Sequence, residues 1–141
     1  MILLDANILV HSKQPASPHY QAITQMLTDF AENSEDLAVC QQVLYEYYVV
    51  ATRPAAQNGY GISADDAIDQ INDFKSAYTY INDPDNLLAE WQSIIVKYKT
   101  IGKTAHDARL VALMHAQSID RIYTMNPGDF NRYADIITVL N

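Results

Sequence analysis

Across 141 residues the chain has one cysteine, four glycines and nine lysines and arginines. Each shortage excludes something. A lone Cys40 forms no internal disulfide, so a reducing, cytoplasmic setting is expected. Four glycines include no G-x-x-x-x-G-K-[ST] loop to cradle a phosphate. No apolar run approaches the roughly 20 residues of a membrane-spanning helix, so no membrane partner is expected. Met1-Ile2-Leu3-Leu4-Asp5 has no basic leader and reads as the start of the fold. Nine basic residues against seventeen acids leave a formal charge of −8. By itself that charge argues against nucleic acid and anionic membranes, whose phosphates it would repel.

What is present is a globular pattern. The hydrophobic fraction is 49% and the charged fraction 18%, and no repeat or linker divides the chain, so residues 1–141 read as a single domain. Ile2 to Leu4 is a continuous apolar run of the kind buried on both faces of a sheet. Ser17-Pro18 is expected to open a helix striped by Tyr20, Ile23, Leu27 and Phe30. Leu37–Cys40 reads as a strand, and Gln41 to about Thr52 as a helix stopped by Arg53-Pro54. Ser63 with Asp66 starts another helix; Thr79–Ile81 reads as a strand. Asp83-Pro84 is expected to cap a helix closed near Gly102, and Thr104 to open one running to about Gln117. Arg121–Thr124 and Ile136–Leu140 read as strands. Strands alternating with helices predict an α/β domain with a mostly parallel sheet, whose site lies beyond the carboxyl ends of the strands.

Four acids stand where a bland sequence would place something else. Asp5 ends the first buried strand. Glu46 shares its helix face with Val43, Val49 and Val50, so it is expected to point toward the core. Asp107 is followed on its own face by Leu110, Val111 and Met114. Asp129 lies in the turn after Arg121–Thr124, on the sheet edge where Asp5 emerges. An unpaired buried carboxylate is costly, so each needs a partner. Structural partners exist for all four: a turn at Asp5, Arg53 or Arg109 for Glu46, a capping box with Thr104 for Asp107, and a Pro-Gly-Asp turn for Asp129. Jointly, however, an all-oxygen site of this kind suits Mg²⁺ or Mn²⁺, and such ions serve phosphodiester hydrolysis.

Leu3-Leu4-Asp5-Ala6-Asn7-Ile8-Leu9-Val10 resembles the first motif of PIN-domain ribonucleases. Ala105-His106-Asp107-Ala108-Arg109-Leu110-Val111-Ala112 resembles their third acidic motif, and Arg121 to Phe130 the strand and turn of the fourth. Glu46 falls, by order along the chain, in the helix where the family keeps its second acid. Size and motif wording are similar to the VapC-like toxins of bacterial toxin–antitoxin pairs. The resemblance implies a three-layer α/β/α sandwich with a parallel sheet of four or five strands. It implies hydrolysis of RNA, with Asp5, Glu46, Asp107 and Asp129 as catalytic acids holding one or two Mg²⁺ or Mn²⁺ ions. It further implies a small antitoxin protein covering the site, and homodimers. The chain departs from its relatives at Asn126, where many carry an acid, which leaves Asn126 to orient water or substrate. His11 stands where relatives often carry an aromatic.

Around these acids, Asn7 and Thr124 are candidates for supporting the site, Thr124 as a water holder or as a plain strand-end residue. His106 beside Asp107 points about 100° away on a helix and is no natural base. The tyrosines Tyr45, Tyr47 and Tyr48 read as core edge or interface before RNA contact. The competing function is a PIN-fold binding module, for RNA or a protein partner, that keeps the acidic pocket but has weakened chemistry. A haloacid-dehalogenase-like hydrolase is disfavoured because it would want an acid at Asn7. Four of the seventeen acids are the candidate ligands, so the rest of the chain carries only −4 of the total −8. The acidity is then local, and Arg53, Lys103 and Arg109 are expected to help set the field where RNA docks.

Overall fold

In a computed structural model describing residues 1–141, five strands form one wholly parallel sheet. They are β1 (Ile2–Leu4), β2 (Leu37–Cys40), β3 (Thr79–Ile81), β4 (Arg121–Tyr123) and β5 (Thr138–Leu140). Their order is β3-β2-β1-β4-β5. The chain moves outward one way from β1 through β2 to β3, then crosses back to β4 and β5. The reversal between β1 and β4 is where a parallel sheet opens a crevice at its carboxyl edge. Leu4 pairs with Tyr123 in register, so Asp5 and Thr124 emerge side by side from that crevice. The central strands β1 and β2 are buried throughout, whereas the edge strands β3 and β5 are half exposed. This is why the continuous apolar runs belong to the centre.

Seven helices cover the sheet: α1 (Ala6–Ser12), α2 (Tyr20–Glu32), α3 (Gln41–Thr52), α4 (Ala64–Ala77), α5 (Leu87–Tyr98), α6 (Ala105–Ala116) and α7 (Pro127–Phe130). Helix α1 packs on both α2 and α3, α3 packs on α4, and α5 packs on α6, giving the outer layers of an α/β/α sandwich. Leu110 to Met114 of α6 are almost wholly buried, and with β1, β2 and α1 they form the centre of a core of 31 residues. Each such side chain contributes about 1.5–3 kcal/mol on burial.

Several helix ends differ from the sequence reading, each for a local reason. Helix α1 follows β1 without a loop, because the Asp5 carboxylate accepts the Ala6 N–H at 2.7 Å and nucleates it. Helix α2 begins at Tyr20, not at Pro18, since Ser17 Oγ instead accepts the His19 N–H and bonds the His11 ring. Asp83-Pro84 forms a turn ahead of α5. That helix closes at Lys99 (φ 52°) rather than at Gly102. Strand β5 starts at Thr138 because the Ile136 and Ile137 N–H groups both turn back to the Tyr133 carbonyl. Ser34 and Ser118 likewise carry left-handed backbone just past the ends of α2 and α6.

Candidate active site

Beyond the carboxyl edge of the sheet lies a cavity of about 600 Å³ whose walls include Asp5, Glu46, Asp107 and Asp129, with Asn7 and Asn126 beside them. The four acids come from four elements: the end of β1, the middle of α3, the first turn of α6 and the short α7. His11, Tyr45 and Tyr60 also line the cavity. No lysine or arginine lines the cavity. The sequence reading brought the acids together by order and by face, and the cavity holds all four.

Asp5 is the most tightly held. It is 8% exposed. One oxygen accepts the Ala6 N–H, and the other accepts Thr124 Oγ1–H at 2.6 Å and Asn7 Nδ2–H at 2.8 Å. Asn7 is fixed in turn, its amide oxygen accepting the Met125 N–H and its nitrogen also reaching Thr124 Oγ1. Thr124 is fully buried, and its one hydroxyl hydrogen goes to Asp5 while its oxygen accepts the Asn126 N–H. It therefore stands behind the acid as a brace, with no hydrogen left for water in the cavity.

Glu46 is half-buried and faces the cavity, not the core. Val43 on the same face is buried in the core, but Val49 is 58% exposed and both Val49 and Val50 line the cavity, so the face becomes the rim of a pocket after Glu46. Its carboxylate accepts Gln42 Nε2–H at 2.8 Å. Neither arginine weighed as its partner reaches it: Arg109 pairs with Asp83, and Arg53 forms no ion pair. Asp107 does not close a capping box either, since Thr104 Oγ1–H donates to the Ile101 carbonyl at 2.7 Å.

The electrostatics follow from that crowding. Burial raises the Asp5 carboxyl above its ordinary range; its hydrogen bonds to Thr124, Ala6 and Asn7 oppose the rise, and the charge of Asp129 adds to it. Glu46 is raised by burial and by Asp5, against the Gln42 hydrogen bond. Asp107 is pushed up to about 6, first by burial and then by Asp129, Asp5 and Glu46. Four carboxylates thus repel one another around one space that no lysine or arginine lines, while His106 and Arg109 outside it lower Glu46 in part. No three His, Cys, Asp or Glu side chains close on a point as a ready-made cage. The donor set nonetheless fits a hard divalent ion, because Mg²⁺ keeps several waters and takes only one or two carboxylates directly.

Two features escaped the sequence reading. His11 and Ser17 bond at 2.7 Å on the cavity rim, with His19 edge-on to the His11 ring; nothing in the spacing signals this. Gln42, by contrast, lies four residues before Glu46, and that helical spacing is a readable donor–acceptor signal. Of the tyrosines, Tyr47 is buried and donates to Gln70, Tyr45 sits exposed on the cavity wall, and Tyr48 lines an apolar groove with Ile68 and Tyr80.

The PIN domain family model matches residues 2–136. Nothing among curated proteins matches the chain. Among solved structures, it is similar to VapBC2 from Rickettsia felis bound to a DNA fragment from its promoter (TM-score 0.70, 16% identity, covering 100% of this chain and 98% of that one). It is also similar to VapC20 from Mycobacterium tuberculosis, a sarcin–ricin loop cleaving toxin (TM-score 0.66, 13% identity, 98% and 97% covered). A third is FitAcB from Neisseria gonorrhoeae (TM-score 0.63, 15% identity, 100% and 97% covered). At these identities the likeness is one of fold.

Proposed function

The chain belongs to the PIN-domain family, and from that premise we propose that it is a metal-dependent endoribonuclease, the toxin of a toxin–antitoxin pair, acting in the cytoplasm as one PIN domain over residues 1–141. The observation that carries the reading is the gathering of Asp5, Glu46, Asp107 and Asp129 on one cavity that no lysine or arginine lines, where burial first and the neighbouring carboxylates second push Asp107 up to about 6. These four would hold one or two Mg²⁺ or Mn²⁺ ions. When bound, such an ion polarises a phosphoryl oxygen and makes water acidic enough to attack near neutral pH.

The chain's own residues do the rest. Ala6, Asn7 and Thr124 fix Asp5 with three hydrogen bonds, leaving acceptor capacity on Oδ1. Asp107, at about 6, is largely ionised at pH 7 and ready to ligate. Asn126 lines the mouth as a neutral amide and can hydrogen-bond a phosphate or water without adding a fifth repelling charge. The similarity in fold to a toxin that cleaves the sarcin–ricin loop supports RNA as substrate, and the VapBC and FitAB complexes support a small antitoxin partner. A cationic antitoxin segment would be drawn to this mouth, and the motif resemblance implies a homodimer as the assembly.

The second reading, a PIN-fold binding module with weakened chemistry, is favoured by Asn126, a neutral amide on the cavity where many relatives carry an acid. RNA cleavage with Mg²⁺, with and without chelator, separates the two. Metal-dependent cleavage that disappears in Asp5→Asn supports the enzyme. Calorimetry that finds no Mn²⁺ uptake at the acids, together with no cleavage, would falsify it.

A further inference from the structure

The donors that fix Asp5 come from α1 and the end of β4, but Glu46 is held differently. Its carboxylate has one protein donor, the amide of Gln42 one helical turn earlier. Gln42 is buried, and its amide is fully used. Nε2 donates to Glu46 Oε1 at 2.8 Å and to the His106 carbonyl at 3.0 Å, while Oε1 accepts Arg109 Nη1–H at 3.0 Å. Arg109 is anchored by its other nitrogen to Asp83 Oδ2.

This arrangement admits only one orientation of the amide. A guanidinium has donors and no acceptors, whereas a carboxylate and a carbonyl are acceptors only. Rotating the amide by 180° would set Nε2 against Arg109 and Oε1 against both Glu46 and the carbonyl, losing three hydrogen bonds at once. The guanidinium therefore dictates that the amide donors face Glu46. It does so without entering the cavity, where direct pairing with Glu46 would cancel the charge a cation needs. The second donor reaches His106 of α6, adjacent to Asp107, so one side chain ties the Glu46 carboxylate to the turn carrying another acid.

We propose that Gln42, locked by Arg109 and Asp83, is a positioning residue that aims Glu46 into the cavity and sets its spacing from Asp107 for a divalent cation. This rests on the reading of the four acids as cation ligands. Groups that orient ligands in this way typically change metal affinity about 10–100-fold when removed.

The test uses the full chain and Mn²⁺ alone as probe, followed by electron paramagnetic resonance or calorimetry. Gln42→Met is expected to weaken Mn²⁺ binding about 10–100-fold and to raise the Mn²⁺ needed for half-maximal cleavage in proportion, with excess Mn²⁺ recovering the rate. A merely structural residue would lower the melting midpoint and leave Mn²⁺ affinity at the parental value; that outcome overturns the proposal. Should Gln42→Met fail to fold, Arg109→Lys keeps a charge for Asp83 but lacks the planar fork that reaches both partners. A several-fold loss of Mn²⁺ affinity in that variant supports the proposal, and parental affinity overturns it. If the parent itself takes up no Mn²⁺, the nuclease reading falls and this inference with it. If the parent binds and both variants bind equally well, only this inference falls.

Discussion

Strand β4 has an acid beside each of its ends, and the two are treated oppositely. At its start, Arg121 grips Glu35 through both terminal guanidinium nitrogens, Nη1 and Nη2, at 2.8 and 2.7 Å, and that pairing holds the Glu35 carboxyl below its ordinary range. Just past its other end, Thr124 braces Asp5, whose carboxyl burial pushes upward along with those of Glu46 and Asp107. Elsewhere on the surface Lys97 meets Asp135 and Lys13 meets Asp73. These three acids each meet a basic side chain, whereas none of the four at the cavity forms an ion pair.

The largest effect expected from breaking this contrast is on chemistry. Asp5→Asn and Asp107→Asn should each lower RNA cleavage on the order of a thousandfold, since a bound ion is worth several kcal/mol and each 1.36 kcal/mol is tenfold. Circular dichroism should report an unchanged fold in both. Next comes ligand-linked stability. Mg²⁺ at a hundred times its dissociation constant should stabilise the parent by about 2.7 kcal/mol against urea, and neither Asn variant by as much.

A pH titration sharpens the contrast further. Because Asp107's folded value lies above its ordinary 3.8, its contribution to stability is present at low pH and is lost as pH rises from there through about 6. The metal-free protein should therefore lose stability across that window, with Asp107→Asn removing part of the loss and Mg²⁺ restoring what the parent lost. Glu35 has the opposite sign: its folded value is depressed, so its contribution holds above the ordinary carboxylate range and fades as pH falls below it. The smallest effect should come from Glu35→Gln, a modest fall in the melting midpoint with cleavage at the parental rate.

How far the sequence could carry this follows from what each residue's signal depends on. Leu37–Cys40 and Gln41–Thr52 were readable to the residue, because a continuous apolar run and a crowded apolar helix depend only on neighbours. Helix α1 was not separated from the strand before it: its apolar residues Ile8, Leu9 and Val10 are as buried as β1, so the boundary rests on the Asp5 cap alone. The acids were legible as a set, since strand ends and helix faces give their positions. Their partners were not. That Arg109 meets Asp83 rather than Glu46 depends on α5 packing against α6 and bringing the turn ahead of α5 to Arg109, and spacing along the chain carries no trace of it. Glu46 was placed on the correct helix face, yet whether that face meets core or cavity is decided by neighbouring elements.

A chain with four glycines ends α2, α5 and α6 on or next to Ser34, Lys99 and Ser118, each at a φ between 52° and 57°. Side-chain-bearing residues pay about 1 kcal/mol or more for that left-handed backbone. Glycine at the three positions relieves this cost, less what its greater freedom in the unfolded chain takes back. None of the three lines the acidic cavity, and well-separated changes combine nearly additively. The helix ends thus offer unused engineering headroom: a triple-glycine background could absorb the destabilisation of variants around the acids, so that a loss of catalysis is not mistaken for a loss of folding.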